Sequence, residues 1–597
     1  MNTRKSQTLA LRAAGTIAAA VATTAAPVLA QTPSVAVIEI EGTPAARSAG
    51  MAWLGDEAST LREYVETFDT IAYDDEFNGL VIRLKDSALG LTQVEELGAA
   101  MQRVREEGKK VHVFAEGYGP GELMLGAYAD EILVQSGGMV SFPGMHMEEM
   151  YLADTLGWLG VKAQLIQVGD YKGANETMTR SEPSPAWNQN IDSLLDSLYE
   201  SQRIIVGEGR GLDSAQLDDA MQVAWWADAD QAINAGLIDA AIDLPEIREH
   251  LATTYGEKPR WVKDPYTVTS TLDTSNPFAM MTEIFGAAQA QITVDGPSIA
   301  VLHIAGTIID GDSSSGGLFG GGESVGSRTI RNTIEDMLKE DDIKGVIVRV
   351  DSPGGSAIAS EVMWQGIERL KAEKPVWISV GGMAASGGYY VLSAGDKVYV
   401  NPSSIVGSIG VVGGKYAMGD LYDKLKVNVV ERSRGPAAAL NSSARPWNEA
   451  EQQLIRMKMT ETYDLFASRV TAGRPGIDLS MTAEGRLFTG RDAVELKMAD
   501  EIGGLDDAIT DMAANVGLSH FEVVEYPLPP TLDEMLEQLL GGFVEAPSVA
   551  QHSELVAALR LVLGEERFAA IRDSLAALTL LRDESVLLVS PRAIIVK

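Results

Sequence analysis

Two apolar stretches with nearly the same pattern decide the fold: Ser34-Val-Ala-Val-Ile-Glu-Ile-Glu-Gly42 and Ser298-Ile-Ala-Val-Leu-His-Ile-Ala-Gly306. Two more pairs of apolar stretches follow in the same order, Asn78-Gly-Leu-Val-Ile-Arg83 with Lys344-Gly-Val-Ile-Val-Arg349 and Lys110-Val-His-Val-Phe114 with Pro375-Val-Trp-Ile-Ser379. The members of the first pair start 298 − 34 = 264 residues apart and those of the second 344 − 78 = 266 apart. Matching order and spacing over three segments indicate that one unit is repeated.

The repeated stretches have the character of strands in a parallel sheet. Most of them contain a continuous apolar run rather than an alternating pattern, which is typical of strands buried on both faces. Helical patterns separate them, over Val94 to Glu107 in the first copy and Ala357 to Glu373 in the second. Because strands joined by crossover helices form α/β units, we predict an α/β protein made of two tandem repeats with mostly parallel sheets.

The repeat also divides the chain into regions. Residues 32–255 are predicted to form the first α/β repeat and residues 296–530 the second, with a linker over 256–295. Residues 531–597 form a C-terminal extension. We expect this extension to be helical because residues 553–580 carry an amphipathic helix pattern.

The N-terminal 30 residues have the pattern of an export signal or an N-terminal anchor. Arg4, Lys5 and Arg12 precede an uncharged run that ends at Val28-Leu29-Ala30, where a signal peptidase could cut. The run is just long enough to cross a bilayer. We therefore predict that the protein is exported, and that this segment is either removed or retained as an anchor.

Composition excludes several classes of function. The 597 residues include 48 basic and 84 acidic side chains, a net charge of −36 at pH 7. Such a chain repels phosphate backbones, so we expect no nucleic-acid partner. It contains no cysteine, which excludes disulfides, thiolate nucleophiles and cysteine-based metal sites.

Two motifs in the second repeat could carry chemistry. Asp351-Ser-Pro-Gly-Gly-Ser356 follows a predicted strand, and a Pro-Gly-Gly turn leaves backbone N–H groups uncovered, as an oxyanion hole requires. Gly381-Gly-Met-Ala-Ala-Ser-Gly-Gly-Tyr-Tyr390 follows the next strand. Its Ser386 lies among small residues between strand and helix, where peptide dipoles favour a developing negative charge.

These motifs resemble those of the long, duplicated form of signal peptide peptidase A (protease IV, peptidase family S49), which is related to the ClpP and crotonase superfold. The resemblance covers most of residues 34–530 and implies that Ser386 is the nucleophile. It implies that the general base is Lys172, which ends the segment Val168-Gly-Asp-Tyr-Lys172 in the first repeat. It also implies that Ser408, within Val406-Gly-Ser-Ile-Gly410, orients the lysine amine.

The residue types themselves are compatible with a Ser-Lys dyad. None of the six histidines lies in either motif, so a Ser-His-Asp triad has no candidate base there. Lysine can act as a base if burial lowers its pKa, which predicts an apolar, acid-poor pocket around Lys172. The substrate carbonyl would accept hydrogen bonds from the backbone N–H groups of Gly355 and Gly387. Each repeat has kept half of such a site, so we expect the two repeats to meet.

The resemblance implies a serine endopeptidase that requires no metal or organic cofactor. Its substrates would be cleaved signal peptides and other unfolded peptides, and it would be a periplasmic homotetramer, soluble or anchored to the inner membrane. We expect the extended peptide to pair with a strand edge near Gly410 to Gly413. Two alternatives stay open: a crotonase-like acyl-CoA enzyme on the shared superfold, and a peptide-binding scaffold without activity.

Overall fold

The computed structural model of the protein describes residues 32–47, 59–266, 296–314 and 323–528, together with the backbone of residues 586–589. These residues form two compact units that are interleaved along the chain. Each unit is made of the described parts of three chain segments. The segments of unit 1 are Met1–Gly144, Glu200–Ile284 and Ala513–Glu522, and those of unit 2 are Met145–Tyr199, Phe285–Met512 and Val523–Lys597.

Strands and helices are numbered here in chain order. The strands are β1 (Ser34–Glu41), β2 (Gly79–Lys85), β3 (Lys110–Ala115), β4 (Glu131–Gln135), β5 (Met139–Val140), β6 (Lys162–Val168), β7 (Ala227–Asp228), β8 (Ala240–Ile242), β9 (Arg260–Lys263), β10 (Ser298–Ala305), β11 (Thr307–Ile309), β12 (Ser324–Gly326), β13 (Ile343–Ser352), β14 (Gly354–Ser356), β15 (Val376–Ala385), β16 (Val398–Val400), β17 (Ile405–Gly407), β18 (Val411–Ala417), β19 (Leu487–Thr489), β20 (Glu501–Ile502), β21 (Glu522–Tyr526) and β22 (Val586–Val589). The α-helices are α1 (Leu61–Tyr73), α2 (Leu91–Glu106), α3 (Pro120–Gly126), α4 (Ala153–Leu159), α5 (Glu176–Thr179), α6 (Pro185–Arg210), α7 (Ser214–Val223), α8 (Ala229–Asn234), α9 (Ile247–His250), α10 (Ala252–Tyr255), α11 (Ser327–Met337), α12 (Ala357–Lys371), α13 (Gly387–Leu392), α14 (Gly419–Lys424), α15 (Glu449–Gly473), α16 (Leu479–Thr482), α17 (Gly490–Glu495) and α18 (Leu505–Asn515).

Unit 1 is built on a sheet with the strand order β8-β4-β3-β2-β1-β9. Every neighbouring pair in it is parallel. The apolar run of β1 is buried on both faces, as its sequence predicts, because Val35 and Ala36 are both fully buried. Crossover helices connect the strands. The first of them, α1, begins at a capping box in which Thr60 and Glu63 satisfy each other's backbone N–H groups.

Unit 2 repeats this arrangement in a sheet with the order β19-β17-β15-β13-β10-β21, to which β16 and β20 are attached through β15. Its strands β10, β13 and β15 are the counterparts of β1, β2 and β3, and they are adjacent and parallel in the same order. The predicted α/β class and the tandem, mostly parallel repeats are therefore confirmed. The predicted helices are also found, as α2 and α12.

A second sheet of unit 2 has the order β12-β11-β14-β22-β18-β6. In it β6 pairs antiparallel with β18, from Val411 opposite Val168 to Ala417 opposite Lys162. This pairing explains why residues 145–199, which precede the second repeat in sequence, are part of unit 2. The compact units thus divide the chain differently from the repeat boundaries inferred from the sequence.

Several sequence predictions concern residues outside the described ranges. The export signal, most of the linker and the amphipathic pattern over 553–580 all lie there, and the described part of the C-terminal extension, β22, is a strand. Within the described ranges, no helix is both long and apolar enough to span a bilayer. The Pro-Gly-Gly segment differs from the simple turn expected, because Gly354–Ser356 forms the short strand β14.

Candidate active site

Ser386 lies between the end of β15 and the start of α13, as predicted, and is fully buried. Its backbone angles are φ 56° and ψ −113°. These are the angles of the first central residue of a type II′ turn, a position that glycine normally takes. A serine held there stores backbone strain, which is a recurrent feature of nucleophiles on sharp strand-to-helix turns.

The two glycines that follow Ser386 allow the chain to pack closely at this turn. A Cβ on Gly387 would lie 2.6 Å from the Ser360 hydroxyl oxygen and 3.1 Å from the Gly354 Cα, and one on Gly388 would lie 2.7 Å from the Ser352 carbonyl oxygen. Only glycine avoids these contacts. The small residues of the motif therefore bring the start of α13 against the Pro-Gly-Gly segment.

Lys172 reaches Ser386 directly. Its Nζ lies 2.6 Å from the Ser386 Oγ, 2.9 Å from the Ser408 Oγ and 2.8 Å from the Ser408 carbonyl oxygen. Lys172 is only 1% exposed and Ser408 2%. The structure thus brings together the three side chains that the sequence analysis named, and all three belong to unit 2.

The contacts of Nζ match a neutral amine. Burial lowers the pKa of Lys172 well below its usual range, and the three partners of Nζ are uncharged oxygens. A neutral amine has two N–H donors and one lone pair. The Ser408 carbonyl and hydroxyl oxygens can accept the two N–H groups, which leaves the lone pair for the Ser386 hydroxyl proton. This is the arrangement that a general base needs.

Ser408 follows β17 in a turn that is hydrogen-bonded to Ser386. The Ser386 N–H donates to the Gly407 carbonyl at 2.8 Å, and the Ser408 N–H donates to the Arg486 carbonyl at 2.6 Å. The backbone φ of Ser408 is 53°, in the left-handed region. This conformation lets the carbonyl and the hydroxyl of one residue both accept from Nζ.

The segment Ala483-Glu484-Gly485-Arg486 holds Lys172 in place, and sequence reasoning missed it. The Tyr171 N–H donates to the Glu484 carbonyl at 2.8 Å, and the Arg486 guanidinium lies 3.9 Å from the centre of the Tyr171 ring. Gly485 has φ 93°, and a Cβ there would lie 2.4 Å from the Lys172 backbone nitrogen. The isolated glycine was the only signal in the sequence, and it does not reveal which segment packs against it.

The two glycines predicted as oxyanion donors lie close together beside Ser386. The backbone nitrogen of Gly355 is 3.2 Å from the ideal Cβ position of Gly387. Gly387 is the first residue of α13, where a backbone N–H has no acceptor within the helix. Gly355 also has a strict steric requirement, because a Cβ there would lie 1.9 Å from the Ile308 carbonyl oxygen.

The described residues include no cluster of three or more histidine or carboxylate side chains that could hold a metal ion.

Comparison with known proteins identifies the family of this chain. The family model of peptidase family S49 matches residues 103–256 and 368–519, which together make up just over half of the chain. The chain belongs to peptidase family S49. The first match contains Lys172 and the second contains Ser386 and Ser408. A Clp protease model also matches residues 323–406, in agreement with the predicted superfold.

Individual relatives align over most of this S49 chain. A Protease 4 of Salmonella typhi is 27% identical over 534 residues, 87% of this chain and 83% of the relative. A Protease 4 of Haemophilus influenzae is 29% identical, over 74% of this chain and 72% of the relative. A chloroplastic serine protease SPPA of Arabidopsis thaliana is 26% identical, over 81% of this chain and 70% of the relative.

Proposed function

We propose that this S49 peptidase is a serine endopeptidase in which Ser386 is the nucleophile and neutral Lys172 is the general base. The observation that carries the proposal is the 2.6 Å contact between a buried amine and a buried hydroxyl. Such a contact is within the range that proton transfer from a nucleophile requires.

The reaction would proceed in two stages. In the first, the Nζ lone pair of Lys172 takes the Ser386 hydroxyl proton while Oγ forms a bond to the peptide carbonyl carbon. The carbon–nitrogen bond then breaks, and the ammonium returns the proton to the leaving amine. In the second stage, Nζ takes a proton from water, whose oxygen attacks the acyl ester, and Ser386 leaves with that proton.

Backbone N–H groups would stabilise the negative charge that develops during the reaction, and Ser408 would orient the amine. During attack, the carbonyl oxygen becomes negative and accepts from the N–H groups of Gly355 and Gly387. Removal of one oxyanion donor typically slows such a reaction by about 10²–10³-fold. Ser408 accepts both N–H groups of the amine, so it keeps the Nζ lone pair directed at Ser386.

The proposal also covers the substrate class, the location and the assembly of the protein. We propose that the substrates are extended peptides without stable structure, such as cleaved signal peptides, and that the protein works in the cell envelope as a homotetramer. The buried dyad supports the first point, because a peptide bond within a folded domain cannot easily reach a hydroxyl that has no exposed surface. Light scattering on the purified protein should give the mass of four chains, and a monomer would contradict the assembly.

An active-site probe tests the mechanism directly. A fluorophosphonate should label Ser386 in the native chain and should not label Ser386→Ala. Lys172→Met should reduce hydrolysis of a fluorogenic peptide by about 10²–10⁴-fold, the usual contribution of a general base. Lys374→Met is the matched control, because burial also lowers the pKa of Lys374 and its Nζ binds two backbone carbonyls elsewhere in unit 2.

The results of these labelling and hydrolysis assays distinguish the peptidase from the two alternative functions. Full turnover by Lys172→Met would remove the lysine from the mechanism. Binding of peptides with neither labelling nor hydrolysis would indicate a scaffold. Binding of acyl-CoA thioesters, again without peptide hydrolysis, would indicate a crotonase-like enzyme.

A further inference from the structure

Two hydrogen bonds hold the peptide group that joins Gly407 to Ser408. Its carbonyl oxygen accepts from the Ser386 N–H at 2.8 Å. Its N–H group donates to the Arg486 carbonyl oxygen at 2.6 Å. Ser386 and Ser408 both have a positive φ, 56° and 53°. Residues in such strained conformations persist only where the surrounding structure holds them, so these hydrogen bonds matter for the position of both serines.

The side chain of Asn190 extends this series by one more peptide group. The group that joins Arg486 to Leu487 accepts from Ser408 through its carbonyl oxygen, and its N–H group donates to the Asn190 Oδ1 at 3.0 Å. All three hydrogen bonds therefore donate in the same direction, towards Asn190. Hydrogen bonds in such a series polarise one another, so loss of the last acceptor weakens the bonds before it.

The position of β19 in its sheet explains why a side chain is the acceptor. Strand β19 stands at the end of the strand order and pairs on one side with β17. Among the described residues no strand pairs with its other side, so the Leu487 N–H requires an acceptor of another kind. Asn190, which is buried in α6, supplies it.

The same face of α6 also contacts the segment of the proposed base. Trp187 is buried, and its ring packs on Gly173, the residue that follows Lys172. A Cβ on Gly173 would lie 2.1 Å from the Trp187 Cδ2. Because residues three apart lie on one face of a helix, Trp187 and Asn190 allow one turn of α6 to contact both the Lys172 segment and the strand that holds the Ser408 turn.

We propose that Asn190 is a positioning residue of the reaction, whose Oδ1 fixes the Ser408 turn and, through it, the direction of the Lys172 amine. The inference rests on the proposed function, in which the Ser408 carbonyl and hydroxyl oxygens accept the two N–H groups of that amine. Asn190 acts only through the peptide group between Arg486 and Leu487.

Only the oxygen of the Asn190 amide is used. Its Nδ2 is buried and has no hydrogen-bond partner among the described residues. A buried donor without a partner costs stability, which offsets the gain from the bond to Oδ1. The placement of an acceptor is thus what distinguishes this side chain from an apolar residue of similar size.

Two substitutions at this position separate the acceptor from the bulk of the side chain. Asn190→Leu has a similar shape but no acceptor. We expect it to lower kcat for a fluorogenic peptide about tenfold with KM retained, a smaller loss than the roughly 10²-fold that a full 1 Å misplacement costs. Asn190→Asp keeps an oxygen at the accepting position and should restore most of the native kcat. Equally low kcat in both variants would overturn the role of the oxygen.

Ser197→Ala is the matched control, because it removes hydrogen bonds between the same helix and the region that follows β19. The Ser197 hydroxyl binds the Thr489 hydroxyl and the Asp492 carboxylate, both at 2.9 Å. We expect Ser197→Ala to keep the native kcat, even if urea unfolding shows it to be as destabilised as Asn190→Leu. An equal loss of kcat in these two variants would indicate a general loosening of α6 and would overturn the inference.

A double-mutant cycle tests whether Asn190 acts through Ser408. If it does, the effects of Asn190→Leu and Ser408→Ala should not multiply. The double variant should then lose clearly less than about 10²-fold in kcat, the product of two tenfold effects. A loss equal to the full product would show that the two residues act independently and would overturn the inference.

Amide hydrogen exchange gives a readout that does not depend on activity. Asn190→Leu should speed the exchange of the Ser408 and Leu487 N–H groups, and Ser197→Ala should not. Unchanged exchange in Asn190→Leu would overturn the inference, as would faster exchange with an unchanged kcat. Faster exchange in a protein whose native chain hydrolyses no peptide would instead overturn the proposed function and leave the series of hydrogen bonds supported.

Discussion

A single methyl group at Gly485 should disable the proposed base although neither residue of the proposed dyad is replaced. The ideal Cβ position of Gly485 lies 2.4 Å from the Lys172 backbone nitrogen, whereas ordinary contacts begin at 3.4 Å. In Gly485→Ala the two segments must therefore move apart by about 1 Å, the difference of the two distances. Both atoms involved belong to backbone or to a Cβ, so side-chain rotation cannot relieve the contact.

The displacement has a calculable effect on the rate. If it passes to Nζ, the separation from the Ser386 Oγ grows from 2.6 Å towards about 3.6 Å, beyond hydrogen-bond reach. A misplacement of about 1 Å in a catalytic group typically lowers the rate about 10²-fold. We expect this loss in kcat, with little change in KM, because the strand edge near Gly410 to Gly413, where we expect the peptide to pair, is not altered.

Gly476→Ala is the matched control for backbone strain. Gly476 has φ 91° against 93° for Gly485, so alanine is equally strained at both positions, at about 1–2 kcal/mol. An added Cβ there meets only the Lys497 side chain, at 3.6 Å, an ordinary contact. Urea unfolding should show both variants destabilised, and a fluorogenic peptide assay should show only Gly485→Ala slowed about 10²-fold. Equal activity of the two variants would refute the positioning of Lys172 by this segment.

Three further outcomes follow from the same geometry. Ser408→Ala removes one of the two acceptors of the amine, so kcat should fall about tenfold while KM is retained, and an unchanged kcat would argue against an orienting role. Gly355→Ala should lower activity sharply, because its Cβ would lie 1.9 Å from the Ile308 carbonyl oxygen, and near-native activity would exclude Gly355 from the oxyanion hole. Burial lowers the pKa of Lys172, so kcat/KM should fall as pH decreases through that lowered pKa, and a midpoint near the ordinary lysine value of 10.5 would contradict a buried neutral base.

The sequence was sufficient to predict the strands and to name the residues of the proposed dyad. The apolar runs Val35–Ile38 in β1 and Ile299–Leu302 in β10 favour a buried parallel strand, and the structure has both strands at the expected residues. Ser386 was recognisable because the small residues around it allow a serine to lie at a tight strand-to-helix turn. Lys172 was different, since its segment has no local feature that distinguishes a base from a solvated lysine, and only the family resemblance selected it.

What the sequence did not reveal depends on contacts between distant segments. The antiparallel pairing of β6 with β18 joins residues some 250 positions apart and determines which compact unit holds Lys172. The place of β22 between β14 and β18 is equally non-local, and the apolar run Val586–Val589 would suit any buried strand. The role of Gly485 depends on a positive φ and on a backbone approach to Lys172, neither of which a lone glycine in a sequence can specify.

Burial of Lys172 links the stability of the fold to its chemistry. In the unfolded chain this lysine binds a proton up to about pH 10.5, whereas burial lowers its pKa in the folded chain. Between the two pKa values the unfolded state holds more protons, so the free energy of unfolding rises with pH across that window and the buried amine destabilises the fold below it. The Ser408 carbonyl and hydroxyl oxygens partly offset this loss of stability by accepting both N–H groups of the neutral amine. The buried lysine therefore lowers the stability of the fold, as expected if it serves as the proposed base rather than as a packing residue.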